Sequence, residues 1–336
     1  METMHPARFR PASGRLFYFR MGSNGIMVRA GLIPRIVDVS EAAQVPRFYI
    51  GVDGGGTNCR IRLADEQLST LAEAGGGRSN LQIEGGDPAY HSVMEGTREV
   101  FATAGIDFNE TKYTYACFGL AGGRLPSARE AFAARDWPFA AVRVFDDIDI
   151  ALAGAHGGED GAVIIVGTGS AGLAKVDGVR HQCGGWGFHI GDQMSGAILG
   201  RELVRRAVEA TDGLVPGSSL TEAVVERLGG SLDAVMDWSF QDRRPADYGA
   251  LVPMLMEYFD EGDPVARDLI ELEFAYIDNY VKWFRARGAI RMAAVGGLGT
   301  RLYPLLTERY GSFIVPPRHE PVHGAVILAK QLFGNP

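Results

Sequence analysis

The chain has 336 residues, 46% of them hydrophobic, which is enough to bury a substantial core and suggests about two domains. Its formal net charge of −8 provides no basic surface for phosphate backbones, so we expect no nucleic acid as a partner. No stretch approaches the ~18 apolar residues of a membrane span, and the three widely spaced cysteines resemble neither a disulfide framework nor a metal pair, so we predict a cytoplasmic protein without a membrane partner.

Residues 1–46 differ in composition from the rest of the chain. They carry six arginines, with Glu2 as the one acid before Asp38, and no sustained helical or strand period. A transit peptide is one interpretation. We favour a loosely ordered tail, or a start assigned too early with Met21 or Met27 as the true initiator. Deletion of residues 1–45 is therefore expected to leave activity and thermal stability intact.

The regular part of the chain begins with a predicted β-hairpin. The apolar run 48–52 is typical of a buried strand, and residues 60–63 alternate charged and apolar as a half-exposed strand does. The turn between them contains Asp53, Gly54, Gly55, Gly56 and Thr57.

The same plan returns a little over a hundred residues later. Residues 162–166 form a second buried-type strand and residues 172–175 an outgoing one, joined by Gly167, Thr168, Gly169 and Ser170. Two such hairpins in one chain indicate two halves of a duplicated design.

The second half of the chain contains a long predicted helix followed by a strand. Asp263 and Pro264 supply an N-cap and a first-turn proline, and an apolar stripe continues until Gly288 ends the helix. The strand 290–295 then leads into a third glycine cluster, 296–299. This alternation of strands, helices and glycine turns predicts an α/β fold.

Three glycine clusters after strands indicate phosphate binding. Glycine lets backbone N–H groups surround phosphate oxygens because no Cβ blocks their approach. The chain has neither a P-loop motif nor a convincing dinucleotide fingerprint, so hairpin turns would hold the phosphates. Asp53, at the end of the first strand, either caps its turn or holds Mg²⁺, through water because this ion keeps several of its waters.

Three carboxylates, Asp146, Asp147 and Asp149, directly follow the predicted strand 141–145. One carboxylate at the start of a helix is commonly an N-cap. Three suggest a further role, because a hydroxyl that attacks a γ-phosphoryl group needs an acceptor for its proton within hydrogen-bond reach.

These motifs, in this order, resemble the N-acetylglucosamine kinase group of the BadF/BadG family over roughly residues 47–330. The resemblance implies the actin-like ATPase fold, with ATP and a sugar in the cleft between two ribonuclease-H-like lobes. The first lobe would comprise 47–157, with 320–336 returning to it, and the second 158–319. The motifs that carry the resemblance are 53–57, 146–147, 167–170, 184–187, 191–193 and 296–297.

The resemblance also implies residue roles. Asp53 to Thr57 and Gly167 to Ser170 would bind the phosphates of ATP, and Gly296 and Gly297 the adenosine. Asp147 matches the catalytic aspartate. The sugar-binding positions implied by the family or by the adjoining loops are Asn80, Gly122, Gly123, Asp147, Gly185, Trp186 and Asp192.

Some positions depart from the family pattern or stay open. Ile148 and Met194 stand where a small residue and a glycine are usual, and both could reshape the sugar pocket. Trp186 is either a platform for a pyranose ring or a core residue. Cys183 and His189 flank the same loop, but two ligands without a second pair do not make a zinc site.

The resemblance predicts an ATP-dependent, Mg²⁺-requiring kinase that phosphorylates the 6-hydroxyl of N-acetylglucosamine, with glucosamine as the next choice. One alternative is an ATPase that activates a reductase through a shared iron–sulfur cluster, although the second phosphate loop has no cysteine nearby. Another is a nucleotide-switched binding module without a sugar acceptor. The oligomeric state is open, with a homodimer as one option.

Overall fold

A computed structural model describes residues 47–56 and 58–334 of the chain. The predicted tail, residues 1–46, and Thr57 of the first glycine turn lie outside the described residues. None of the helices in the described part is long and apolar enough to cross a membrane.

Five strands form the first sheet in the order β3-β2-β1-β4-β5. The predicted first hairpin is its centre: β1 pairs antiparallel with β2 and parallel with β4. Ile50 and Val52 are fully buried, as the apolar run predicts for a strand covered on both sides. The strands are β1 (Phe48–Gly54), β2 (Cys59–Ala64), β3 (Thr70–Gly76), β4 (Thr114–Leu120) and β5 (Ala141–Asp146).

Four strands form the second sheet in the order β8-β7-β6-β9. Again an antiparallel hairpin, β6 with β7, is followed by a parallel neighbour, β9. A single parallel bridge between Met292 and Ile314 continues the order beyond β9. The strands are β6 (Gly161–Val166), β7 (Ser170–Val176), β8 (Val179–Gly184) and β9 (Met292–Val295).

Twelve α-helices accompany these sheets in the described part of the chain. The predicted long helix is α9, where Asp263 accepts hydrogen bonds from the N–H groups of Val265 at 2.9 Å and Ala266 at 3.0 Å. The third glycine cluster differs from the prediction: Gly297 already starts α10. The helices are α1 (Asp87–Thr103), α2 (Pro126–Ala133), α3 (Asp147–His156), α4 (Gly196–Thr211), α5 (Ser219–Arg227), α6 (Leu232–Phe240), α7 (Pro245–Gly249), α8 (Val252–Asp260), α9 (Pro264–Arg285), α10 (Gly297–Arg301), α11 (Tyr303–Tyr310) and α12 (Pro321–Phe333).

Helix α3 joins the two sheets. Ile148 and Leu152 pack with Val163 of β6 and Leu173 of β7, whereas Ile150 packs on the other side in a cluster with α12. Close packing of α3 against α12 requires glycine, because a Cβ at Gly154 would lie 3.0 Å from the carbonyl oxygen of His319. The predicted α/β class is confirmed, whereas the predicted boundary after residue 157 stays a prediction.

Candidate active site

The turn after β1 holds the described part of the first predicted phosphate loop. The N–H of Gly55 donates to the carbonyl of Asn58 at 2.9 Å, and Gly55 in turn accepts from the N–H of Ser79 at 2.9 Å. Gly54 has no room for a side chain, since a Cβ there would lie 2.7 Å from the Cβ of Ser79, whereas Gly56 faces open space. Gly54, Gly55 and Gly56 therefore offer backbone groups to a ligand.

Asp53 of this turn is held by a cation that the sequence did not single out. Arg60, its cross-strand partner on β2, places Nη2 3.3 Å from Asp53 Oδ2 and also pairs with Glu320 at the start of α12. Burial raises the pKa of Asp53 and Arg60 lowers it; burial is the larger effect, so the pKa lies above its ordinary value.

The second predicted phosphate loop lies against the start of α4. The carbonyl of Gly167 accepts from the N–H of Gly196 at 2.8 Å, and the Ser170 hydroxyl donates to the carbonyl of Gln193 at 2.5 Å. Gly296 lies directly over this loop with a φ of 90°, and a Cβ there would lie 2.7 Å from the carbonyl oxygen of Val166. Two predicted motifs are thus in contact, although Gly167 and Gly296 are 129 residues apart in sequence.

A cavity of about 570 Å³ opens beside this loop, within the size range of small-molecule and cofactor sites. It brings together three residues predicted to bind ATP, Gly167, Thr168 and Gly297. Apart from Leu298 of the third glycine cluster, the rest of its wall lies outside every predicted motif. That wall consists of Gly196, Gly249, Val252, Pro253, Met256, Glu257, Asp260, Leu298 and Arg301.

The three predicted aspartates differ in their partners. Asp146 accepts from Gln182 Nε2 at 3.0 Å, and Asp149 accepts from Arg180 Nε at 2.6 Å and Nη2 at 3.1 Å. Asp146 is the N-cap residue of α3, but its side chain makes no capping hydrogen bond. Within the described residues the carboxylate of Asp147 has no side-chain partner, only the N–H of Ile148.

Asp147 is therefore the best candidate for the proton acceptor. Burial, and then the negative charges of Asp146 and Asp53, raise the pKa of Asp147 to about 7. A pKa close to the working pH suits a general base, because the group is ionised yet retains proton affinity.

The predicted sugar-binding residues of the first sheet are neighbours. Asn80 accepts from the N–H of Gln82 at 2.8 Å and lies against Gly122, where a Cβ would be 2.5 Å from Asn80 Oδ1. Gly123 follows at the end of β4, and a Cβ there would lie 2.8 Å from the carbonyl oxygen of Phe145. These positions adjoin the strand end that carries Asp146 and Asp147.

The predicted sugar-binding residues of the second sheet adjoin the second phosphate loop. Asp192 accepts from the N–H of Gly187 at 3.1 Å, and its Oδ2 would be 3.0 Å from a Cβ at Gly169. Asp192 and Met194 both have left-handed φ angles, 59° and 65°. The fully buried Met194 thus keeps a backbone conformation that favours the glycine usual in the family.

Trp186 is not a core residue, because it is 60% exposed. One face of its indole is covered by the guanidinium of Arg124, 3.8 Å from the ring centre, and Arg124 Nη1 donates to the carbonyl of Gly184 at 2.6 Å. Arg124 directly follows Gly122 and Gly123, so it connects the two groups of predicted sugar residues. Gly185 lies beneath it: a Cβ there would be 3.5 Å from Arg124 Nη1.

The described residues contain no cluster of three or more His, Cys, Asp or Glu side chains that could hold a metal ion. Mg²⁺ does not need such a cluster, since it commonly binds through one or two carboxylates, waters and substrate phosphates. The partly exposed carboxylate of Asp53 beside a glycine turn fits that kind of site.

Comparison with known proteins places the chain in a family. The model of the BadF/BadG/BcrA/BcrD ATPase family matches residues 50–329. Glucosamine kinase GspK of Vibrio cholerae is 32% identical over 282 residues, 84% of this chain and 95% of that protein. N-acetyl-D-glucosamine kinase of Dictyostelium discoideum is 28% identical over 235 residues, 65% of this chain and 73% of that protein.

Among solved structures, a candidate N-acetylglucosamine kinase from Chromobacterium violaceum is similar with a TM-score of 0.77 and 32% identity, over 85% of this chain and 99% of that one. The predicted two-lobed, actin-like ATPase fold is thereby confirmed. Since the family model spans the glycine turns, the aspartates and most of α12, the chain belongs to the BadF/BadG/BcrA/BcrD ATPase family.

Proposed function

We propose that this protein is an ATP-dependent kinase that transfers the γ-phosphoryl group of ATP to the 6-hydroxyl of N-acetylglucosamine, with glucosamine as the next choice. The observation that carries the proposal is Asp147, a carboxylate without a side-chain partner among the described residues, whose pKa is raised to about 7 by burial and then by the charges of Asp146 and Asp53. The relatives, which are amino-sugar kinases, confirm the predicted class of enzyme.

In the proposed reaction, the oxygen of the sugar hydroxyl attacks the γ-phosphorus, Asp147 accepts the proton of that hydroxyl, and ADP leaves. Asp53 would hold Mg²⁺ through water, and this ion would neutralise charge on the phosphates. The glycine turns would surround the phosphate oxygens with N–H groups. The proposed ATP ligands are Asp53, Gly54, Gly55, Gly56, Thr57, Gly167, Thr168, Gly169, Ser170, Gly296 and Gly297.

The sugar would lie between the loops of the two sheets. Asp147 and Asp192 would bind hydroxyl groups, and Asn80 and the backbone at Gly122, Gly123 and Gly185 would line the pocket. Trp186 would contribute an edge or its free face, because Arg124 covers the other face. We expect this chemistry in the cytoplasm; a homodimer stays one option.

The choice of N-acetylglucosamine rests on charge at the 2-position. A buried ammonium needs a carboxylate partner to offset its desolvation. The two acids that could turn toward it are already engaged: Asp146 by Gln182 and Asp149 by Arg180. The guanidinium of Arg124 beside Gly185 also disfavours a second cation there. The likeness to a glucosamine kinase keeps the free amine as the second candidate.

The test compares kcat/KM for the two sugars under identical conditions, with enzyme and ATP alone as the blank. We expect N-acetylglucosamine to be preferred. A tenfold preference for glucosamine, about 1.4 kcal/mol of transition-state binding, would overturn the choice of sugar. ATP hydrolysis that no sugar stimulates would instead support the nucleotide-switched module.

A further inference from the structure

Strand β8 of the second sheet contacts two places at the end of the first sheet: the junction of β5 and α3, through Arg180 and Gln182, and the loop after β4, through the carbonyl of Gly184. Arg180 binds Asp149, Gln182 binds Asp146, and the carbonyl of Gly184 accepts from Arg124. Residues two apart on a strand point to the same side. One side of β8 therefore lies against the end of the first sheet where the candidate base is.

Among the described residues, the side chains of Arg180 and Gln182 bind two of the three aspartates and leave the third, Asp147, without a partner from β8. Asp149 receives both of its hydrogen bonds from the guanidinium of Arg180, a two-point geometry that fixes the carboxylate plane. Asp146 is only 5% exposed, and the amide of Gln182 donates to its Oδ2. Asp147, between them in the chain, receives nothing from β8 among the described contacts.

We propose that Arg180 and Gln182 are positioning residues for phosphoryl transfer, which hold Asp149 and Asp146 from the second sheet and leave Asp147 as the one carboxylate of the three that is free to accept the substrate proton. The inference rests on the proposed function, since it assigns no new substrate. Neither residue belongs to a motif, and both act through the aspartates that they bind.

The physical need for such partners follows from crowding of like charge. Asp147 lies in one short segment with two further carboxylates, Asp146 before it and Asp149 after it, and burial followed by the charge of Asp146 raises its pKa. The positive groups near these acids are Arg60 beside Asp53, Arg129 of α2 acting on Asp146, and Arg180. Carboxylates this close titrate as a coupled set. Loss of Arg180 removes a positive charge, so the set would release its protons at higher pH.

Gln182 acts differently because it is neutral. Burial raises the pKa of Asp146, and the N–H of Gln182 opposes this rise because it favours the ionised carboxylate. With leucine at 182, Asp146 would lose its donor and compete for the proton. Arg180 and Gln182 belong to the second sheet, whereas Asp146 ends β5 of the first sheet and Asp149 follows it. Both contacts therefore form only when the two sheets are as close as they are in this structure.

The test is the pH profile of kcat between about pH 5.5 and 9, with ADP measured directly by chromatography. We expect Arg180→Gln to shift the acidic limb upward by on the order of half a unit to one unit with the KM for ATP unchanged. Arg180→Lys retains the charge, so its acidic limb should lie close to the pH at which that of the wild type lies. Gln182→Leu should lower kcat about tenfold or more.

The matched control is Arg309→Gln. Arg309 also pairs with two carboxylates, Glu271 and Asp278, but lies on α11, outside the candidate site. A wild-type enzyme without sugar-dependent turnover would refute the proposed function itself. If the wild type is active, an unmoved acidic limb in Arg180→Gln, or a shift equal to that of the control, refutes the positioning role, as does normal kcat in Gln182→Leu.

Discussion

In both sheets an antiparallel hairpin is followed by a parallel strand, yet the first hairpin turn follows a carboxylate, Asp53, whereas the second follows Val166. The strand ends of the first sheet also carry Asp146 and Asp147. The second sheet contributes Gly167, Gly296 and a cavity of about 570 Å³. Under the proposed function, the same plan would serve chemistry in one half and nucleotide binding in the other.

The two halves also differ in the partners of their buried carboxylates. The acids of the first sheet have polar partners, Arg60 for Asp53 and Gln182 for Asp146, which reduce the cost of burying them. In the second half, Glu273 on α9 is almost fully buried and its Oε2 has no hydrogen-bond partner among the described residues. A buried acid without a side-chain partner thus lowers stability in the second half, where it is Glu273. In the first half the corresponding acid is Asp147, the candidate general base.

The largest expected effect is on the chemistry of the first sheet. Asp147→Asn retains the shape of the side chain but cannot accept a proton, so kcat should fall on the order of 10²–10⁴-fold, as for a positioned general base. The KM for ATP should barely change. Near-normal turnover in Asp147→Asn, with Asp146→Asn or Asp149→Asn inactive, would assign the base to a neighbour.

The corresponding change in the second sheet should affect binding instead. Gly296→Ala forces a Cβ onto a residue with a φ of 90° and toward the carbonyl of Val166, a strain of about 1–3 kcal/mol. We expect the KM for ATP to rise about tenfold and the KM for the sugar to change little. Gly297→Ala, whose Cβ would meet no atom within 4 Å, should have the smaller effect; equal effects would show that the strain is irrelevant.

The third prediction concerns stability alone. Burial, with a smaller contribution from Glu202, raises the pKa of Glu273 to about 8, whereas the unfolded chain has the ordinary value of 4.5. Between these values the unfolded state loses its proton first, so the free energy of unfolding falls as pH rises from 4.5 to 8 and then levels off.

Glu273→Gln should therefore stabilise the protein by an amount that grows with pH across this window, reaching a few kcal/mol near its upper end. Urea denaturation at three pH values measures the change. The control is Glu271→Gln on the same helix, whose side chain is 68% exposed and pairs with Arg309. A stabilisation that is independent of pH would mean that Glu273 is ionised in the folded protein.

The elements that could be predicted from the sequence are those set by local pattern. The two hairpins, the glycine turns, the aspartates after β5 and the cap of α9 each depend on residues within a few positions of one another. Arg180 and Gln182 could not be found in this way, because they reach aspartates 31 and 36 residues away. Arg60 contacts Glu320 across 260 residues.

The cavity beside the second glycine loop illustrates the same limit. Its walls on α7 and α8 consist of ordinary helical residues, which become a binding surface only because α4 packs closely on α7. A Cβ at Gly200 of α4 would collide with the carbonyl of Tyr248. Tertiary packing, rather than any motif, makes these helices part of the site. Met194 was singled out in the sequence, but its left-handed backbone is a finding of the structure.

The position of α12 has a consequence for how the chain is made. Ala325, Val326 and Ala329 pack on Tyr49 of β1 and Cys117 of β4, so α12 covers one face of the first sheet. At roughly 5–20 residues per second, a ribosome would need some tens of seconds to pass from Leu120 to Pro321. During that time the nascent first half would expose an apolar face that α12 has yet to cover, and this face would be accessible to chaperones that bind apolar surfaces.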